Sequence, residues 1–129
     1  MNEPVFITRE WVDVLHRLSL ETHGGQDGIR NESGLESALA LPMTMFFYDQ
    51  GDLFDLAAAY AYHLAENQPF IDGNKRTAIT TALAFLEFNG VVTSKITNDQ
   101  LYDAMIGITE KRLNKAGLAE VFRKALRSG

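Results

Sequence analysis

The chain has 129 residues, of which 46% are hydrophobic, and a net charge of −5. That length suits one domain with one core, and the acidic balance argues against general nucleic-acid binding, which needs a basic face. No cysteine is present, so disulfides, thiolate metal sites and cysteine nucleophiles are excluded.

No Pro-, Gly- or Ser-rich linker, internal repeat or low-complexity tract divides the sequence, so residues 1–129 read as a single domain. The opening Met1-Asn2-Glu3-Pro4 has no signal-peptide character, and the longest apolar run, Leu56 to Ala65, is broken by His63 and is too short to span a bilayer. A cytoplasmic protein without a membrane partner is the expectation. The short basic spot Lys111-Arg112 reads as a solvated helix end.

Taken in order, the periodicities predict a succession of helices. The first covers Arg9 to Glu21, capped by Thr8, with Trp11, Val14, Leu15 and Leu18 as its apolar stripe. A glycine turn follows from His23 to Gly28, and Ser33 to Glu36 reads as a capping box opening a short helix that ends at Pro42. Met43 to Gly51 reads as a loop carrying Phe46-Phe47-Tyr48. Asp52 caps a helix to about Asn67, and another runs from Asn74 to Phe88 and stops at Asn89-Gly90. Both are apolar around most of their circumference, which marks them as central. Val91-Val92-Thr93 suits a short extended stretch. Thr97 to Gln100 forms a capping box before a helix to about Ile108, and a last helix runs from Asn114 to Leu126, with Leu118, Val121, Phe122 and Ala125 facing inward. The fold class is all-α, a bundle of about six helices.

The segment Gln68-Pro69-Phe70-Ile71-Asp72-Gly73-Asn74-Lys75-Arg76 joins the two central helices. A helix N-terminus offers free N–H groups and partial positive charge, Gly73 permits close backbone approach, and Asn74 can donate to a phosphate oxygen. Lys75 and Arg76 oppose the helix dipole, at about 0.3–1 kcal/mol each when exposed, unless an anion sits there. Asp72 beside phosphates could hold Mg²⁺, which takes one or two carboxylates plus phosphate oxygens. Gly-Asn-Lys-Arg alone would equally suit a solvated turn; the whole segment between two apolar helices favours a phosphate site. The Walker A spacing is absent.

With these residues in view, the chain resembles the Fic/Doc family and, within it, the Doc (death-on-curing) toxin branch. The family pattern reads His-x-Phe-x-Asp/Glu-Gly/Ala-Asn-Gly/Lys-Arg, and Phe70, Asp72, Gly73, Asn74, Lys75 and Arg76 match it in order. Lys75, and Ile79 where the longer Fic motif has a second arginine, look like Doc. Gly24-Gly25, Gly28-Ile29-Arg30, Leu35 to Ala38 and Ala84 to Gly90 extend the similarity over almost the whole chain.

The resemblance implies a compact helical bundle that uses ATP and Mg²⁺ to modify a hydroxyl of a protein substrate. For Doc this means phosphate transfer to a translation elongation factor, restrained by an antitoxin protein. It assigns Mg²⁺ to Asp72, a loop anchor to Phe70, and phosphate binding to Gly73, Asn74, Lys75 and Arg76, with Arg76 also catalytic. Phe46, Phe47 and Tyr48 fall where the family has its target-docking flap; ordinary core packing is the alternative. The inhibitory Ser/Thr-x3-Glu-Gly/Asn signature of some Fic proteins is absent, so regulation would come from a separate antitoxin.

Gln68 departs from the pattern, standing where the family places its general-base histidine. A neutral amide has no usable basicity near neutral pH, although it can orient a hydroxyl. A positioned base contributes about 10²–10⁴ in rate, so attenuation of that order is expected while nucleotide binding survives. The alternatives are an impaired pseudoenzyme that binds nucleotide or antitoxin, and an AMP-transferring Fic enzyme. His63 sits about 140° around its helix from position 68 and reads as a packed histidine. His16 and His23 read as structural or surface residues, and Glu66 as a solvated helix-end charge.

Overall fold

The computed structural model describes residues 2–127, so Met1, Ser128 and Gly129 lie outside the described residues. Among the described residues six helices follow one another: α1 (Arg9–His23), α2 (Glu32–Phe47), α3 (Leu53–Asn67), α4 (Asn74–Phe88), α5 (Asn98–Thr109) and α6 (Lys115–Leu126). No strand forms among the described residues; the 91–93 stretch is irregular, and an isolated antiparallel bridge joins Ile29 to Phe70.

Helix α3 is the axis of the bundle, packing against α2, α4, α5 and α6. A capping box of Asp52 and Asp55 opens it. From Leu56 to Ala61 every residue is buried, and the four alanines among them let neighbouring helices approach closely. Helix α4 lies beside it, burying Ala78, Ala82, Phe85 and Leu86. The ends of these two helices hold the motif segment between them, which fixes it at the centre of the fold.

Two expectations need correction. Helix α1 turns Val12, His16 and Ser19 inward, while Trp11 and Leu18 of the expected stripe are 45% and 51% exposed. The inward polar residues are satisfied by partners on the motif loop, and apolar counting cannot see such partners. Helix α2 starts from Asn31, whose side chain accepts from Gly34 N–H, and it runs through Pro42 to Phe47. Leu35, Ala38 and Pro42 form one buried stripe against α3, and that packing outweighs the backbone bond the proline cannot make.

The termini of the bundle are tied by polar contacts. Asn89 bonds both the N–H and the carbonyl of Val5, and buried Tyr60 accepts from Ile7 N–H at 3.0 Å. Burial pushes the Tyr60 phenol up to about 12, against the opposing pull of that bond. At the other end, Arg123 of α6 reaches Asp52 and Asp55 at the start of α3 at 3.0 and 3.1 Å.

Candidate active site

Helix α3 ends on Gln68 in the left-handed conformation (φ 44°, ψ 58°), which swings the chain out of the helix into buried Pro69 and Phe70. Phe70 is 1% exposed, and its ring stacks on His16 with centroids 3.8 Å apart. The Asn74 side chain closes this loop: its Oδ1 accepts from Phe70 N–H and its Nδ2 donates to Phe70 O, both at 2.9 Å. Asn74 therefore spends its amide oxygen and one N–H on the loop itself.

The loop is braced from two further sides. His16 Nε2 donates to Asp72 O at 2.8 Å, and Arg76 Nε donates to Ser19 Oγ at 3.1 Å. The segment 26–31 runs alongside, with Arg30 and Asn31 N–H donating to Pro69 O, Ile71 N–H to Gly28 O, and Gln26 N–H to Asp72 Oδ2 at 2.7 Å. Gly28 has φ 135°, which calls for glycine; a Cβ there would lie 2.6 Å from Ile71 Cδ1, the movable end of that side chain. Gly73 has φ 83°, and a Cβ there would meet only ordinary 3.5 Å contacts; its glycine serves conformation rather than space.

A cleft of about 390 Å³ opens over the start of α4, lined by Gln68, Asp72, Gly73, Asn74, Lys75 and Arg76, and also by Glu66, Thr109 and Lys111. The first intrahelical bond of α4 runs from Thr77 N–H to Gly73 O, and no side chain caps this end. The N–H groups of Asn74, Lys75 and Arg76 thus precede the ladder beside two exposed cations, an arrangement suited to an anion.

Position 68 has an unforeseen neighbour. Arg30 Nη2 donates to the Gln68 side-chain Oε1 at 2.8 Å, and Nε and Nη2 also reach its backbone oxygen. A guanidinium has only donors, so the amide must turn its oxygen to Arg30 and its NH₂ away. Gln68 can therefore donate a hydrogen bond to an incoming group, while one lone pair of its side-chain oxygen is already taken by Arg30.

The remaining candidates lie elsewhere. Phe46 and Phe47 belong to the last turn of α2 rather than to a loop; Phe46 packs edge-on to Phe6 at 5.9 Å, and Phe47 and Tyr48 are exposed. None of the three lines the cleft; the segment lying along the motif loop is 26–31. His63 is also outside the cleft, with Nε2 3.2 Å from Lys115 Nζ, and burial followed by that charge lowers its pKa. Arg30, His16, Ser19 and Gln26 act on the motif from far along the chain, and no local pattern in the sequence marks those contacts.

The motif geometry has a counterpart among known proteins. A model of the Fic/DOC family matches residues 6–86, well over half of the chain. The chain belongs to the Fic/DOC family. Its similarity to two curated proteins places it in the Doc branch. It is 29% identical to "Protein kinase doc" of Escherichia phage P1 over 119 residues, which cover 92% of this chain and 93% of that one. It is 41% identical to "Toxin Doc" of Mycolicibacterium smegmatis over 88 residues, 67% of this chain and 65% of that one. The six-helix architecture agrees with the all-α Fic/DOC expectation. No helix among the described residues is long and apolar enough to cross a membrane.

Proposed function

We propose that this Fic/DOC protein is a Doc-type toxin that transfers the γ-phosphate of ATP to a hydroxyl of a protein target, slowed by Gln68. The supporting observation is the uncapped start of α4, with Lys75 and Arg76 beside it, opening into a cleft next to Asp72. Free N–H groups and two cations suit a polyphosphate, whereas they would oppose the helix dipole in an empty turn.

Asp72 suits a metal that arrives with the nucleotide. Its Oδ2 accepts from Gln26 N–H, which orients the carboxylate, and no cluster of three acidic or histidine side chains exists among the described residues. Magnesium needs only one or two carboxylates when phosphates complete its shell, so the residues fit. When bound, it would neutralise charge on the phosphates. Asn74 holds the loop, while the N–H groups of residues 74–76 and the side chains of Lys75 and Arg76 grip the phosphates.

In the transfer, the target hydroxyl oxygen bonds to the γ-phosphorus, the bond from that phosphorus to the β–γ bridging oxygen breaks, and ADP leaves. The hydroxyl proton passes to solvent, since the neutral amide of Gln68 has no usable basicity. By family resemblance the target is a translation elongation factor and the restraining partner is an antitoxin. Supplying γ-labelled and α-labelled ATP in parallel with cell lysate tests the reaction: γ label is expected on protein, and α label alone would replace phosphate transfer with AMP transfer.

The Arg30–Gln68 contact favours a second reading, a pseudoenzyme that acts by binding alone. Transfer of γ label to a protein by the unmodified chain, lost in Asp72→Ala and Arg76→Ala variants, would rule that reading out.

A further inference from the structure

Lys111 has a backbone that suits glycine and a side chain that faces the cleft. It lies just beyond the end of α5 with φ 63°, in the left-handed region that glycine adopts without cost. Its backbone is fixed by Lys111 N–H to Ile108 O, and the turn continues with Arg112 and Leu113 N–H to Gly107 O. Its Nζ lies 2.9 and 2.8 Å from the two oxygens of Glu66, at the end of α3. The lysine side chain is 72% exposed and that of Glu66 26%, so the pair sits at the solvent edge. An exposed pair of this kind adds little to folding and exchanges partners readily. The sequence expectation of a solvated helix end does not account for a lysine in a glycine conformation that lines the same cleft as Lys75 and Arg76.

We infer that Lys111 is a third phosphate-binding cation, held on Glu66 while the cleft is empty and released to a polyphosphate when one enters. The inference rests on the polyphosphate reading of the cleft. A fixed backbone with a flexible, three-donor ammonium stem lets the charge swing while the turn stays in place. Glu66 then plays two parts: it keeps Lys111 from wandering into solvent, and it competes with the polyphosphate for that ammonium, its own charge opposing the ligand once Lys111 has left it.

Calorimetric titration of the full chain with inorganic triphosphate and with ATP tests this, beside Lys111→Gly, Glu66→Gln and Arg76→Ala. Lys111→Gly is expected to weaken both ligands about tenfold and to flatten the dependence of affinity on salt, with Tm unchanged or raised because glycine suits the backbone. Glu66→Gln is expected to tighten both. Unchanged affinity in Lys111→Gly, while Arg76→Ala abolishes binding, would overturn the role of Lys111 and leave the phosphate site standing. No binding of either ligand to the unmodified chain would overturn both. Weaker binding in Glu66→Gln would overturn the competition between Glu66 and the ligand.

Discussion

Arg30 holds Gln68 at two points, its guanidinium donating to the side-chain Oε1 at 2.8 Å and to the backbone oxygen at 3.0 Å. The left-handed residue that ends α3 is thereby fixed in both backbone and side chain. The chemistry available at position 68 depends on this contact as much as on the residue itself.

Restoring a base is the direct test. Gln68→His is expected to raise ATP-dependent labelling of the target by about 10²–10⁴ and to strengthen growth arrest, with nucleotide affinity little changed. If labelling does not rise, position 68 is not the base position.

Arg30 then sets the pH profile of that variant. A cation beside an imidazole disfavours its charged form, so activity should rise with pH through a value below the ordinary 6.5 or so. Adding Arg30→Ala should move the rise to higher pH and lower the plateau, because the loop entry loses its brace. A profile unaffected by Arg30→Ala would mean that the guanidinium does not act on position 68.

Asn74 is a clasp, and its loss should be felt in stability as well as binding. Asn74→Ala leaves the N–H and carbonyl of Phe70 without partners, at about 1–3 kcal/mol, enough to lower Tm by several degrees. ATP affinity should fall with it, since the loop that aims the α4 N–H groups loosens. Thermal melts with and without ATP measure both effects. A variant with unaltered Tm but weaker binding would instead assign the side chain to the ligand.

Acid should loosen the junction of α3 and α6. Burial raises the pKa of the Asp52 carboxyl, but hydrogen bonds from Arg123 and the backbone outweigh this and hold it below its usual value. A depressed carboxylate stabilises the fold above its unfolded pKa of about 3.9 and loses that contribution as pH falls through the folded value. Stability is therefore expected to drop below about pH 4. Arg123→Ala should lower stability at neutral pH and make the acid limb shallower, as followed by urea melts across pH.

The sequence by itself determined the helices and the identity of the motif. Asp52, Thr97 and Asn114 announce their helices because capping is local, satisfying N–H groups two or three residues away. Asn74 to Phe88 was legible to the residue because a glycine-broken loop and an Asn-Gly stop bound it. The phosphate character of residues 72–76 was legible too, because dipole, glycine and cations are all adjacent in the chain.

Only the tertiary structure decided what each residue of that segment touches. The contacts of His16 with Asp72, Arg30 with Gln68, Ser19 with Arg76 and Lys111 with Glu66 span separations from 38 to 57 residues. Such pairs have no period and no spacing in the chain. They exist because the packing around α3 and α4 brings the 26–31 segment and α1 to the motif loop and the turn after α5 to the end of α3. The same packing carried α2 through Pro42 and turned His16 and Ser19 of α1 inward beside Val12. Local propensity could foresee neither, because both are set by partners that only the folded bundle supplies.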